Sequence, residues 1–322
     1  MAPLFTAHWF GFGRNPAVEE ADPPISVTGG TKTTDGSNYR HTFTSSGTLV
    51  ITNNPGTVPF GFVVAGGGGG GGSSPTNGAG GGGAGGYVTG ATTSLTNGTY
   101  TVTVGAAGQA NANDSGGPGG TSFLGPPSPG SGGPGPPNGI TALGGGGGGA
   151  QNTPGDNVKG QAGGCSGGAS YAAQGGPATQ PGVTQGMPGL SPVTNVGYTG
   201  GSCAHTGNAQ GAGGGGAGGN AADLPGSAPH KCSAGAPAVA SPHYPGTPIC
   251  GGGGSDGYEE HCPGGGGAGT GGSNTPGFPG KSAAANRAGG GGGCAPGGPS
   301  GGPSGGGHGG SGVVVITYPQ AA

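Results

Sequence analysis

Alternation of apolar and polar residues predicts β-strands near the start of the chain. In TYTVTVGA, Tyr100 and Val102 alternate with threonines at the period of two that a half-buried strand shows. The run FGFVVA, residues 60–65, is short and apolar, as a buried strand would be. NYRHTFTSSGTLVITNN contains two alternating runs around a Ser-Ser-Gly turn and predicts a β-hairpin. These patterns indicate a β protein.

The next comparable strand, SGVVVITYP, lies at residues 311–319, near the end of the chain. A Val- and Ile-rich strand left unpaired would expose an edge, so we expect it to close the sheet that the early strands form. The region between them is then an insertion into one small β-sandwich. The predicted fold class is mainly β plus irregular structure with almost no α-helix. The predicted divisions are an arm and linker at 1–24 and the glycine-rich domain at 25–322.

The composition of the insertion leaves two alternatives for its structure. With 96 Gly and 32 Pro in 322 residues, the chain is rich enough in both to favour disorder. However, charged residues make up only 5% and hydrophobic residues 29%, which is not the composition of a solvated disordered chain. Each Gly disfavours an α-helix by about 1 kcal/mol. Collagen is excluded because the sequence has no strict Gly-X-Y repeat. The ordered alternative is an array of polyglycine II helices.

Polyglycine II helices are left-handed, extended and have about 3 residues per turn, without internal hydrogen bonds. Because glycine has no Cβ, several such helices can pack side by side and pair N–H with C=O across each contact. The glycine blocks that predict this array are residues 66–72, 80–86, 144–149, 211–219, 251–254, 264–269, 289–293 and 305–310.

The N-terminal stretch is rich in aromatic residues and has neither the basic nor the apolar region of a secretory signal. It carries Phe5, Trp9, Phe10 and Phe12, followed by Arg14. Aromatic side chains in a short arm usually require a partner surface, so the stretch is typical of an anchor followed by a linker. The alternative is that these rings fold back onto the core of the domain.

Cysteine and histidine residues offer a second candidate chemistry. All six cysteines lie in the second half of the chain, and His205, His230 and His261 each lie within two positions of one of them. No Cys-x-x-Cys or His-x-x-x-His spacing indicates a zinc finger, so three disulfides or buried thiols are favoured over a metal. GCSGG lacks the strand and helix of a nucleophile elbow. The sequence predicts neither a cofactor, a metal nor an enzyme.

The loops between glycine blocks carry the side chains expected to make contacts. Among these loops, SDGYEEHCPGG has the highest concentration of charged and aromatic side chains. Asp256 and Glu259 in it could bind calcium or form part of a solvated surface. Tyr and His with small polar neighbours are typical of contact loops on a rigid frame. The candidate binding residues are Tyr171, Tyr198, His205, His243, Tyr244, Tyr258, Glu259, Glu260 and His261.

The charge balance restricts the classes of partner. Seven Lys and Arg residues against ten Asp and Glu residues give a net charge of -3, so there is no basic surface for nucleic acid. No apolar run approaches the roughly 20 residues that a membrane span requires, so membrane insertion is not expected.

The order of these motifs resembles the glycine-rich domain of bacteriophage tail-fibre and other virion proteins. The resemblance rests on TFTSSGTLVIT, FVVAGGGGGGG, TYTVTVGAAG, ALGGGGGGA and GGSGVVVITYP in that order, from Asn38 to Pro319. It implies polyglycine II packing and loops that contact a host receptor, as in tail-tip adhesins. No long fibre-docking domain precedes the glycine-rich part, which leaves the capsid surface as another location.

The expected function is that of a non-enzymatic bacteriophage virion surface protein. Residues Phe5, Trp9, Phe10, Phe12 and Arg14 would dock it to other virion proteins, and its loops would bind a host cell-surface protein or glycan. It would be made in the host cytoplasm and released by lysis, and homo-oligomers are compatible with this role. The alternatives are a capsid decoration or head-fibre protein and, disfavoured by the missing signal, a secreted glycine-rich matrix protein.

Overall fold

A computed structural model describes residues 25–75, 78–93, 95–112, 114–126, 139–151, 158–180, 185–187, 189–204, 210–226, 231–257, 261–271, 279–294 and 305–320. In this part of the chain all regular secondary structure is β, with thirteen strands and no α-helix. The strands form antiparallel sheets of five, six and two strands. The predicted fold class is confirmed.

The five-stranded sheet has the order β1-β4-β7-β8-β9. Its strands are β1 (Ser26–Thr28), β4 (Gly47–Thr52), β7 (Gly98–Thr103), β8 (Ser122–Gly125) and β9 (Ile140–Ala142). The predicted alternation in β7 is confirmed: Tyr100 and Val102 are buried, and the threonines between them face away from the core.

The six-stranded sheet has the order β10-β6-β5-β13-β3-β2. Its strands are β2 (Thr31–Asp35), β3 (Asn38–Phe43), β5 (Phe60–Ala65), β6 (Tyr87–Thr92), β10 (Leu190–Val196) and β13 (Val313–Pro319). Strand β13 lies between β5 and β3 and pairs with both. The C-terminal strand therefore does close the sheet of early strands, from a central position.

The two large sheets enclose one apolar core. Leu49, Ile51 and Val102 from the five-stranded sheet pack in the same buried cluster as Phe62 and Ile316 from the six-stranded sheet. Burying a side chain of this size contributes about 1.5–3 kcal/mol, so this cluster is the main hydrophobic stabilisation of the sandwich.

The outer face of the six-stranded sheet is also covered. Val63 and Val315 on this face pack with Ile249 and Cys250 in a second buried cluster. Ile249 ends β12 (Tyr244–Ile249), which pairs with β11 (Val239–Ser241) to form the two-stranded sheet. Because both faces of the sheet are covered, β5 is buried along its whole length and β13 up to Tyr318, and neither strand shows an alternation of buried and exposed residues.

Two sequence predictions about the strands are wrong. Strands β3 and β4 do not form a hairpin: β3 pairs with β2 and β13, and β4 pairs with β1 and β7 in the other sheet. The inserted region also contains five strands, β8 to β12, where none was expected. These strands are short or carry Pro and Gly, so they lack a clear alternating pattern.

Glycine segments extend from the ends of the strands as one array. The amides of residues 66–72, which follow β5 directly, donate with a repeat of three. The first, fourth and seventh amides donate to segment 80–86, the second and fifth to 116–120, and the third and sixth to 305–310, all at 2.8–3.1 Å. The amides in each turn of this helix therefore donate hydrogen bonds to the same three neighbouring segments.

The carbonyl groups of segment 66–72 accept hydrogen bonds from three further neighbouring segments. They accept from segment 144–149 at Gly67 and Gly70, from Gly108 at Gly68, and from Gly291 at Gly69. Six neighbours around one three-residue helix is the packing expected of polyglycine II. The ordered alternative is therefore observed for this block, and hydrogen bonds replace an apolar core within the array.

Segment 80–86 has the same surroundings. Its six neighbours are residues 66–72, 143–149, 165–168, 211–215, 250–254 and 288–291. Two predicted blocks are shorter than expected, because the chain turns at 216–219 and at 264–268. Conversely, segments such as 116–120 and 198–203 belong to the array without a long glycine run. These segments join the array because their backbones hydrogen-bond to its neighbours, and their composition alone did not predict it.

Candidate binding tip of the glycine array

The loops between glycine segments meet at the end of the array that lies away from the sandwich. Segment 66–72 leaves β5 and segment 80–86 returns to β6, so Gly72 and Gly80 lie at the far end. Isolated bridges join the segment ends there: Ser73 with Cys294, Ala79 with Asp256, Gly211 with Cys232 and with Ser170, and Asp256 with His261. We call these bridged residues and the loop ends beside them the tip.

Buried hydroxyl groups lie directly beneath the tip. Ser74 Oγ donates to Gln151 O at 2.7 Å, and Ser170 Oγ donates to Gly78 O. Ser255 Oγ lies 2.6 Å from Gly211 O and 2.7 Å from Ser233 O. The Ser255 hydroxyl adds to long amide bonds, because Gly211 O also accepts from the Ser233 amide at 3.2 Å and Ser233 O from the Ser255 amide at 3.3 Å. The serine hydroxyls therefore supplement the backbone pairing where the segments end. This layer holds the loop ends in fixed relative positions.

One disulfide, Cys232–Cys262, is present among the described residues, and it lies at the tip with a Cα–Cα distance of 5.9 Å. The other four cysteines, Cys165, Cys203, Cys250 and Cys294, are buried thiols. Both alternatives for the cysteines, disulfides and buried thiols, therefore occur in the described residues. No group of three or more His, Cys, Asp or Glu side chains that could hold a metal occurs in the described part of the chain.

Burial suppresses the reactivity of the free thiols. It raises the pKa of Cys165 and of Cys203 to about 12, and it raises the pKa of Cys250 well above its usual value. A thiol is nucleophilic only as a thiolate, so these groups are inert at neutral pH. Ser166, the serine of GCSGG, is fully buried within the array, where its hydroxyl donates to Gly176 O.

The structure places two of the candidate binding residues at the tip. Tyr171 is half-buried, and its amide donates to Gln210 O at 3.2 Å. His261 is exposed and precedes the disulfide-bonded Cys262. Outside the described residues lie His205, Tyr258, Glu259 and Glu260 from the loops and Phe5, Trp9, Phe10, Phe12 and Arg14 from the arm.

The other candidate residues lie near the sandwich. Tyr198 follows β10 at the start of an array segment. His243 and Tyr244 belong to the β11–β12 hairpin, where His243 Nδ1 is 3.1 Å from Thr317 Oγ1 and the Arg40 guanidinium lies 5.7 Å from the centre of the Tyr244 ring. The predicted binding residues are therefore divided between two surfaces.

Sequence reasoning missed the side chains that complete the border of the array. Asn220 Oδ1 accepts from the Thr199 amide at 3.0 Å, and Asp223 Oδ1 accepts from the Ser202 amide at 2.7 Å. These side chains are three residues apart, which is the repeat of the helix they face. The spacing Asn-x-x-Asp in GNAADLP was the available signal, and it satisfies amides that would otherwise face an empty side of the array.

We predict that the melting temperature falls as the pH drops below about 6.5. Burial lowers the pKa of His41 and of His243, and Lys32 lowers the pKa of His41 further, whereas its hydrogen bond to Gly29 O raises it. The unfolded chain, with histidine pKa values near about 6.5, then takes up protons that the folded chain does not. Stability is therefore lost as the pH falls through this value.

Thermal unfolding at about pH 5 and about pH 7.5 tests this prediction. His41 Nε2 is buried without a hydrogen-bond partner among the described residues, so protonation is costly there. His41→Gln should reduce the difference between the two melting temperatures. An unchanged difference in that variant would contradict the assignment to His41.

The geometry defines a class of protein: an all-β sandwich that supports a polyglycine II array with a loop-bearing tip. In the described residues there is no helix with the length and hydrophobicity of a membrane span. A family model described as a glycine-rich domain matches residues 44–319, so the chain belongs to this family. No curated protein matches the chain in sequence.

Proposed function

We propose that this chain is a non-enzymatic surface protein of a bacteriophage particle that presents the tip of its array to the host cell. The observation that carries the proposal is the convergence of the loops between glycine segments at one end of a hydrogen-bonded frame. Within the array the backbone groups are paired with each other, so recognition falls to side chains at the segment ends.

The direction of the chain supports attachment at one end and recognition at the other. Ser26 pairs with Thr52 at the end of β4 that lies away from the array, because Gly47 at its other end pairs with Val102 beside the array entrance. Residue 25 is therefore at the sandwich end of the molecule, opposite the tip. The N-terminal arm precedes this residue and would dock to other virion proteins there.

The tip suits contact with a host-surface protein or glycan. Tyrosine and histidine give a large contact area for few rotatable bonds, and their rings suit sugar faces as well as protein loops. The buried hydroxyl layer and the disulfide hold the loop ends in place before binding, which lowers the entropy cost of association.

We predict that the double variant Tyr171→Ala/His261→Ala slows adsorption of particles to the host about tenfold or more, since central aromatic contacts usually dominate binding. The measurement is the adsorption rate constant of particles that carry the variant. The matched control is Thr33→Ala/Thr48→Ala, which changes two exposed residues of the sandwich.

Thermal unfolding and particle composition are measured as well, to show that the tip variant is folded and incorporated. Thermal unfolding and particle composition should be the same for the tip variant and the control. If adsorption is normal in the tip variant while the particles become fragile, the attachment role is wrong and the protein is a capsid decoration instead.

A further inference from the structure

We infer that the Cys232–Cys262 disulfide is a redox-sensitive clasp whose reduction loosens one part of the tip while the array stays folded. The clasp joins the tip ends of two array segments, 231–236 and 261–266, which contact each other through the Gly235 amide and Pro263 O at 2.9 Å and which both border a third segment, 251–256. We call these three the clasped segments. The inference does not depend on the proposed attachment role, because it is tested on the isolated protein.

The backbone hydrogen bonds between segment 251–256 and the other two clasped segments are longer at the tip than one turn further in. Next to the disulfide, the Cys262 amide is 3.2 Å from Ser255 O, and the Ser255 amide is 3.3 Å from Ser233 O. One turn further in, the Gly265 amide is 2.8 Å from Gly252 O, and the Gly252 amide is 2.9 Å from Ala236 O. Longer hydrogen bonds are weaker, so at the tip the backbone bonds are supplemented by two other contacts. The Ser255 hydroxyl bonds to Ser233 O at 2.7 Å and to the Ser233 amide at 2.9 Å, and the covalent bond holds segment 261–266.

The inner part of the clasped segments has independent support. Gly253 donates to Gly82 O at 2.8 Å and Gly214 donates to Gly253 O at 2.9 Å, so segment 251–256 remains tied to the centre of the array. Loss of the disulfide therefore leaves these bonds in place, and opening is confined to the outermost turn.

Cys262 of this disulfide is the one cysteine of the described residues that is not buried, since Cys232 and the four free cysteines are all buried. Cys262 is partly exposed, so a small thiol can reach it. A dithiol reductant gives up two electrons. Its first thiolate attacks the protein disulfide and displaces one cysteine thiolate, and its second thiolate attacks the reductant sulfur of the mixed disulfide and displaces the other cysteine. Two protein thiols and a cyclic disulfide of the reductant result. Cys165, Cys203 and Cys250 are buried with raised pKa values and do not exchange with it.

Hydrogen exchange followed by mass spectrometry on the full chain, with and without dithiothreitol, tests the clasp. Peptides that cover residues 231–233 and 261–263 should exchange about tenfold faster after reduction, whereas peptides from 66–72 and 80–86 should keep their protection. The double variant Cys232→Ser/Cys262→Ser should show the faster exchange without reductant and should not respond to it. Cys203→Ser should respond as the unmodified chain does.

Two results would overturn the inference. The first is complete reduction, seen as the mass gain of two hydrogens, with no change in exchange at the tip. The second is loss of protection in the whole array together, which would make the disulfide a global support rather than a local clasp. Because dithiothreitol acts on the unmodified protein, the test does not depend on the folding of the variant.

Discussion

Gly147→Val should unfold the glycine array. An added Cβ at Gly147 would lie 1.8 Å from Gly116 O and 2.5 Å from Gly116 C, far inside contact distance. Both atoms belong to backbone that is itself hydrogen-bonded, since the Gly116 amide donates to Gly148 O at 3.0 Å. Neither segment can move without breaking bonds to its other neighbours, so we expect a loss of stability of about 4 kcal/mol or more. Thermal unfolding measures it.

Neighbouring glycines supply a matched control for this effect. At Gly116 an added Cβ would lie 2.0 Å from Gly70 O, whereas at Gly117 the nearest atom is 3.4 Å away. Gly116→Ala should therefore be strongly destabilising, and Gly117→Ala should change stability by less than about 1 kcal/mol. Equal melting temperatures for Gly147→Val and the unmodified chain would show that the array does not pack in this way.

Deletion of residues 1–14 should abolish incorporation of the protein into particles while leaving a folded domain. Among the described residues the core of the sandwich begins at Ile25, which packs against the buried cluster, so the deletion keeps all of the described core. The deleted stretch holds the only Trp and the three Phe residues of the proposed docking arm. Large aromatic residues usually dominate protein interfaces, so we expect the amount bound to particles to fall below detection.

Immunoblotting of purified particles measures this incorporation, with thermal unfolding of the isolated variant as the folding check. The control is Glu19→Gln/Glu20→Gln, which changes the charge of the linker and keeps the aromatic residues. Normal incorporation of the truncated chain would move the docking surface onto the described domain, where the hairpin residues His243 and Tyr244 would be the next candidates.

Local sequence identified strands best where they had strong patterns. The range predicted for β5 matches the observed strand, and β7 and β13 are found where alternating or continuous Val-rich runs predicted them. The prediction of a β3–β4 hairpin was wrong because the alternation of apolar and polar residues shows which face of a strand is buried but not which strand it pairs with. Here the place beside β3 is taken by β13, which comes from the other end of the chain.

The cysteines show the same limit. Sequence supplied six thiols close to turns, but a disulfide requires two Cα atoms within about 7 Å. The order in which array segments pack brings Cys232 and Cys262 together at the tip and leaves Cys165, Cys250 and Cys294 buried and unpaired with another cysteine. Likewise, the candidate residues Tyr171 and Tyr244 are equivalent as loop residues in the sequence, and only the path of the chain assigns them to different ends.

What the sequence determined by itself is the type of packing available to this chain. Long runs of residues without Cβ atoms disfavour α-helices and permit polyglycine II helices, with three residues per turn, to pack with their backbones in contact. Val-rich runs near both ends of the chain supply the core of the sandwich. The tertiary structure decided which segments become neighbours, which loops share the tip and which cysteines pair. Glycine segments are nearly identical to one another, so no local feature distinguishes their partners; the strands that enter and leave the array set that order.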